Sequence, residues 1–148
     1  MLYRRCEATH PKEPTLSIPL PHELLDLLRR PSPCFIATVM PDGSPQLTQT
    51  WVTTDGEHII INTPDWTQKT RNVARDPRVA VNVVDPDETR RYFAVRGHVI
   101  SSTTEGGTES INEISHKYLG IDYPNFSGRD ETRTVLTIEA DSITAPAG

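Results

Sequence analysis

Thirteen prolines punctuate this 148-residue chain, roughly 9% of positions against about 5% in ordinary proteins. Proline lacks a backbone N–H and fixes φ, so it stays out of helix interiors and central strands. The elements must therefore be short and separated by many turns, which excludes a long helical bundle. The length fits one domain with one substantial core. Charge adds a second exclusion: 15 Lys and Arg against 20 Asp and Glu leave a net −5. Such a chain has no global attraction to nucleic acid or an anionic membrane, so neither is expected as a partner, and any anion site must be a local basic cluster.

No apolar run approaches the ~20 residues of a membrane span. Arg4 and Arg5 are not followed by the apolar stretch of a signal peptide. Cys6 and Cys34 stand alone, neither in a C-x-x-C pair nor near a His at ligand spacing. Two lone thiols fit a reducing compartment, so the expectation is a cytoplasmic protein without a disulfide framework or a metal site.

Residues 1–19 carry Pro11, Pro14 and Pro19 without periodicity and read as an N-terminal arm; residues 20–148 read as a single domain. From Pro21 to Arg30, Leu24, Leu25, Leu27 and Leu28 recur at helical spacing until Pro31 and Pro33 stop the helix. Six strands are predicted: Cys34–Met40, Gln46–Thr54, Glu57–Thr63, Arg78–Val84, Tyr92–Ser101 and Thr134–Ala140. The first should turn Phe35, Ala37 and Val39 to one face. Met40-Pro41-Asp42-Gly43 and Asp55-Gly56 supply tight turns. A short helix runs to Arg75 with Asp65 as its N-cap, and another spans 108–119. Gly97 interrupts its strand, the mark of a bulge or a close backbone approach. Several strands are apolar on both faces and must be covered twice. An antiparallel sheet curled into a small closed or split β-barrel achieves this, giving an α+β fold.

The motifs absent from the chain exclude several sites. There is no G-x-G-x-x-G, no phosphate-binding G-x-x-x-x-G-K-[ST] loop and no G-x-S-x-G elbow. His22-Glu23-Leu24-Leu25-Asp26 opens like a zinc protease motif but has Asp where the second His belongs, on a leucine-rich packing helix. The informative stretch is Asn62 to Arg78. There a strand ends at Thr63 and a helix opens carrying Lys69, Arg71 and Arg75. A helix N-terminus presents unpaired N–H groups and a positive dipole end, which suits a phosphate. Thr63, Thr67, Gln68 and Lys69 could complete such a site. The same segment also reads as an ordinary solvated helix with basic residues.

Ile36-Ala37-Thr38-Val39, Asp42-Gly43, Pro45, Trp51, Asp55-Gly56, Asn62-Thr63, Lys69-Thr70-Arg71-Asn72, Asp76-Pro77-Arg78, Val81 and Arg96-Gly97 together resemble the split-barrel flavin-binding superfamily of pyridoxamine phosphate oxidase. Lys117-Tyr118-Leu119-Gly120, Asp122-Tyr123-Pro124 and Arg133 are similar to its actinobacterial branch that uses the deazaflavin coenzyme F420. The resemblance covers about residues 20–145. It implies a homodimer of six-stranded split barrels with two cofactor sites in the grooves between subunits. It further implies that Thr63, Thr67, Gln68 and Lys69 hold the cofactor phosphate, in a run continued by Thr70 and Arg71. Gln49, Thr50 and Trp51 would lie along the flavin ring, and Tyr92 would reach across from the partner chain. Arg71 and Arg75 would face an anionic polyglutamate tail.

Two departures argue against oxidation of vitamin B6. Gln68 stands where those oxidases have Arg, and no Trp or Arg-x-His follows Arg133. The leading expectation is an oxidoreductase that passes hydride between reduced F420 and a small conjugated or unsaturated molecule. No side chain stands out as a catalytic acid, which fits a site that works by positioning. The alternatives are an FMN-dependent oxidase or reductase, or a flavin- or tetrapyrrole-binding protein without turnover.

Overall fold

A computed structural model describes residues 17–146. Most of the expected N-terminal arm, along with Cys6, lies outside the described residues. Its end is fastened to the body, where the Ile18 N–H donates to the Ala140 carbonyl at 3.0 Å. In chain order the elements are α1 (His22–Arg29), β1 (Cys34–Val39), β2 (Pro45–Thr50), β3 (Val52–Thr54), β4 (Ile59–Pro64), α2 (Gln68–Arg75), β5 (Arg78–Val84), β6 (Tyr92–Thr103), α3 (Gly107–Leu119) and β7 (Arg133–Thr144). The seven strands form one sheet in the order β2-β1-β5-β6-β7-β4-β3, and every neighbouring pair is antiparallel.

The two edge strands of that sheet, β2 and β3, are consecutive in the chain with only Trp51 between them. The sheet therefore curls until its edges meet at one residue, and the fold is an α+β split barrel with three short helices. This corrects the expected single strand Gln46–Thr54. Thr50 pairs with Cys34 of β1, whereas Val52 pairs with Ile61 of β4, so the strand changes partner at Trp51. One predicted strand becomes two, and the six become seven.

Alternation explains the interior. Cys34, Ile36 and Thr38 of β1 and Val79, Val81 and Val83 of β5 point inward, with Phe93 and Val95 of β6 beside them. Phe35, Ala37 and Val39 share the outer face of β1 and are half-buried. The α1 leucines 24, 25, 27 and 28 are buried in the same core, with the helix packed on β3 and β5. Gly97 sits at a register shift against β7, and a Cβ there would lie 2.1 Å from the Glu139 carbonyl oxygen. That is the close backbone approach its position suggested. Among the described residues no helix is long and apolar enough to cross a membrane.

Candidate functional site: a groove at the barrel split

A groove of about 610 Å³ opens where the barrel edges meet. One rim is the Pro31–Pro33 turn after α1. Gln49, Thr50 and Trp51 form one wall, and Asn62, Thr63 and Lys69 line the other end. Five of the ten residues proposed for cofactor binding are thus brought together.

The basic end is built by a hydroxyl network. Thr67, not Asp65, is the N-cap of α2: its Oγ1 accepts the Thr70 N–H at 3.4 Å. Thr preceded by an extended segment satisfies an orphan helix donor, which Asp65 sits too far upstream to do. The Thr67 and Thr70 hydroxyls both donate to the Pro64 carbonyl, at 3.1 and 3.0 Å. Thr63 Oγ1 lies 3.1 Å from Thr67 Oγ1. Fully buried Asn72 anchors the helix to β1, its Nδ2 donating to Thr38 Oγ1 at 3.0 Å.

That anchoring occupies two expected ligand residues. Gln68 donates from Nε2 to Asn72 at 2.8 Å, and its Oε1 accepts from Arg71 at 2.6 Å. Arg71 also donates to the Trp66 carbonyl at 2.6 Å, and Arg75 donates to the Val39 carbonyl. Gln68 and Arg71 therefore brace the outer side of α2, and neither they, Thr67 nor Thr70 lines the groove. Tyr92 lies in a separate depression beside Arg90 and Arg91, exposed on this chain.

Lys69 does line the groove, and among the described residues it makes no ion pair. Burial, and then the nearby positive charge of Arg133, push its ammonium below the ordinary value. Arg133 comes from the far end of the sequence and is only 7% exposed. It donates to Asn62 Oδ1 at 2.8 Å and to the Glu131 carboxylate at 2.7 Å. Asn62 in turn donates to the Gly107 carbonyl at 2.9 Å. A Cβ at Gly107 would fall 2.2 Å from the Arg133 carbonyl oxygen, so only glycine lets α3 start this close to β7. Two cations against one carboxylate leave this corner with an unbalanced positive charge. A bound anion would relieve it.

The other end is aromatic. Trp51 stacks on Tyr118 with centroids 5.0 Å apart and planes within 8°. Tyr123 and Phe126 approach it edge-on at 6.3 and 6.4 Å. Tyr123 also lies under the Arg133 guanidinium at 4.8 Å, joining the two ends. The Tyr118 hydroxyl donates to the Ser32 carbonyl at 2.6 Å and accepts the Val52 N–H at 3.2 Å. Burial pushes its pKa upward, so it is an anchor held in the phenol form. Asn62, Arg133 and Phe126 were not assigned site roles from sequence, although Asn62 and Arg133 stood in the quoted motifs. Among the described residues no cluster of three His, Cys, Asp or Glu is arranged to hold a metal.

No curated protein sequence matches this chain. Among solved structures, an F420 reductase is 29% identical with a TM-score of 0.71, the match covering 84% of this chain and 98% of that one. A conserved hypothetical protein from Mycobacterium tuberculosis is 23% identical with a TM-score of 0.63, over 90% and 88% of the two chains. A Listeria innocua protein described as a putative pyridoxamine 5'-phosphate oxidase is 22% identical with a TM-score of 0.61, over 83% and 94%. The family model for pyridoxamine 5'-phosphate oxidase matches residues 20–145. Because that match takes in every strand of the barrel and both ends of the groove, the chain belongs to the pyridoxamine 5'-phosphate oxidase family.

Proposed function

We propose that the groove binds coenzyme F420 and that the protein is an F420-dependent oxidoreductase acting on a small conjugated or unsaturated molecule. The observation that carries this reading is the groove's polarity. Lys69, beside the Glu131-paired Arg133, offers one unneutralised positive charge to a phosphate at one end, and Trp51 offers a stacking face at the other. Bound there, the deazaflavin would supply the hydride chemistry. Thr63 and Lys69 would hold its phosphate, the Gln49–Trp51 wall would orient its ring, and the aromatic residues would exclude water. The 29% identity to a solved F420 reductase supports F420 over FMN.

The reading includes a cytoplasmic homodimer in which Tyr92 completes the partner's groove. The outer sheet face supports this: Phe35, Ala37, Leu47 and Ala80 line a shallow apolar depression, with Leu47 67% exposed. Sedimentation should give a dimer at micromolar concentration, and a stable monomer would remove the shared site.

Titrating the apo-protein with F420 and with FMN, while following the emission of Trp51 and Trp66, tests the cofactor assignment. Saturable quenching by F420 at lower concentration than by FMN is expected. Preference for FMN transfers the protein to the FMN-dependent enzymes of this fold. Binding of neither overturns the proposal.

A further inference from the structure

The pair Lys117-Tyr118 at the end of α3 is tied to three separate parts of the groove, and the cofactor site described above uses only the Tyr118 ring. The Lys117 ammonium donates to the Leu28 carbonyl at 2.5 Å and also to the Val52 carbonyl. Leu28 is in the last turn of α1, where carbonyls lack helical partners and the dipole favours a cation. Val52 is the first residue after the break in the barrel, and its N–H is taken by Tyr118. Both polar groups of that one peptide position are therefore held by neighbouring side chains of α3. Tyr118 also holds Ser32, on the opposite rim, and its ring backs Trp51. The ammonium also lies over the Tyr118 ring, 5.0 Å from its centroid.

We propose that Lys117 is a positioning residue for the groove, fixing the α1 rim and the Trp51 wall at a set separation without touching the ligand itself. This rests on the groove being the cofactor site, but the clamp can be read without cofactor. Burial pushes Lys117 down to about 8. The groups packed against it do not titrate there: burial pushes the Cys34 thiol on β1 up to about 12 and raises the Tyr118 hydroxyl above the ordinary phenol value.

The test uses the full chain with Trp66→Phe, which leaves Trp51 as the one tryptophan of two. Emission of the apo-protein should titrate with a midpoint near pH 8, and Lys117→Met should abolish that midpoint and shift emission to the red. The midpoint should persist in Lys69→Gln, which separates it from the other lysine at the groove. Affinity for F420 or FMN should fall on the order of tenfold in Lys117→Met, because the α1 rim and the Trp51 wall lose the charge-assisted hydrogen bonds that hold their separation. Unchanged emission, pH profile and affinity in Lys117→Met would overturn the proposal. If that variant fails to fold, Tyr118→Phe removes only the hydroxyl bridging Val52 and Ser32. It should show the same red shift, and unaltered emission there counts against the clamp. A wild type that binds neither cofactor refutes the proposed function, while the apo emission still decides the role of Lys117.

Discussion

The basic end of the groove takes Thr63 and Lys69, with Thr67 and Thr70 supporting them, from the end of one strand and the start of the next helix, whereas the aromatic end gathers Trp51, Tyr118, Tyr123 and Phe126 from a strand break, a helix end and a loop. The first is held by hydrogen bonds among near neighbours, centred on the Pro64 carbonyl. The second exists only when distant parts of the chain are packed together. A locally built corner allows its ligand-facing charge to change with little effect on the fold. A corner built from remote parts couples recognition to stability. Arg133 crosses this division, because it serves the basic end but arrives from the last strand.

Arg133 is therefore the place where the contrast should fail most visibly. Arg133→Met strands the buried Glu131 carboxylate and the Asn62 amide, and uncompensating a buried ion pair costs about 3–5 kcal/mol. Denaturant unfolding should show a loss of about 3 kcal/mol, with anion affinity falling as well; a change under about 0.5 kcal/mol would mean that the contacts are not buried in solution.

Lys69→Ala should separate the two properties. A charge-assisted hydrogen bond of roughly 1.5–3 kcal/mol predicts on the order of ten- to a hundredfold weaker cofactor binding, read by fluorescence titration. The unfolding midpoint should hold or rise, since Lys69 is half-buried beside another cation. Arg29→Ala on α1 is the matched control and should leave affinity unchanged.

The pH dependence follows with a definite sign. The Lys69 pKa in the folded chain lies below the ordinary lysine value of 10.5, so the unfolded state binds more protons in that window. Apo stability should therefore gain from this group as pH rises toward 10.5. Lys69→Ala should flatten that part of the stability profile, and an unaltered slope would place Lys69 in solvent. The smallest effect belongs to Phe126, 69% exposed and touching Trp51 edge-on. Phe126→Ala should lower the unfolding free energy by about 0.5 kcal/mol, at the low end of aromatic pair energies, and weaken binding about two- to threefold.

The same division explains what could be read from the sequence. Turns at Pro41–Gly43 and Asp55-Gly56, the leucine face of α1 and the alternation of Val79, Val81 and Val83 are short-range patterns, and they fixed the strands and the helix order. Lys69 and Thr63 were legible because their chemistry lies in one contiguous run. The break at Trp51 was not legible, since Gln46–Thr54 alternates as one strand and only the partners, β1 for one half and β4 for the other, divide it. Gln68 shows the converse. Its position at the mouth of a helix suggested a ligand contact, but the demand of buried Asn72 for a donor claimed its amide. Arg133 stood in a recognisable motif, yet nothing in its neighbours reveals that β7 delivers it to Asn62.

A hoop fastened by one rivet has a particular kind of tolerance. Trp51 is that rivet: its side chain faces the groove, while its backbone is the single peptide spacer between two ladders whose registers are set on opposite edges. The identity of residue 51 can thus change with the ligand at the cost of its aromatic packing, whereas the number of residues there cannot. One residue more or fewer would turn β2 or β3 over, exchanging its inner and outer faces. Lineages of this barrel should retune recognition at the seam by substitution, and accommodate insertions elsewhere, in turns such as Asp55-Gly56 where no second edge has to be met.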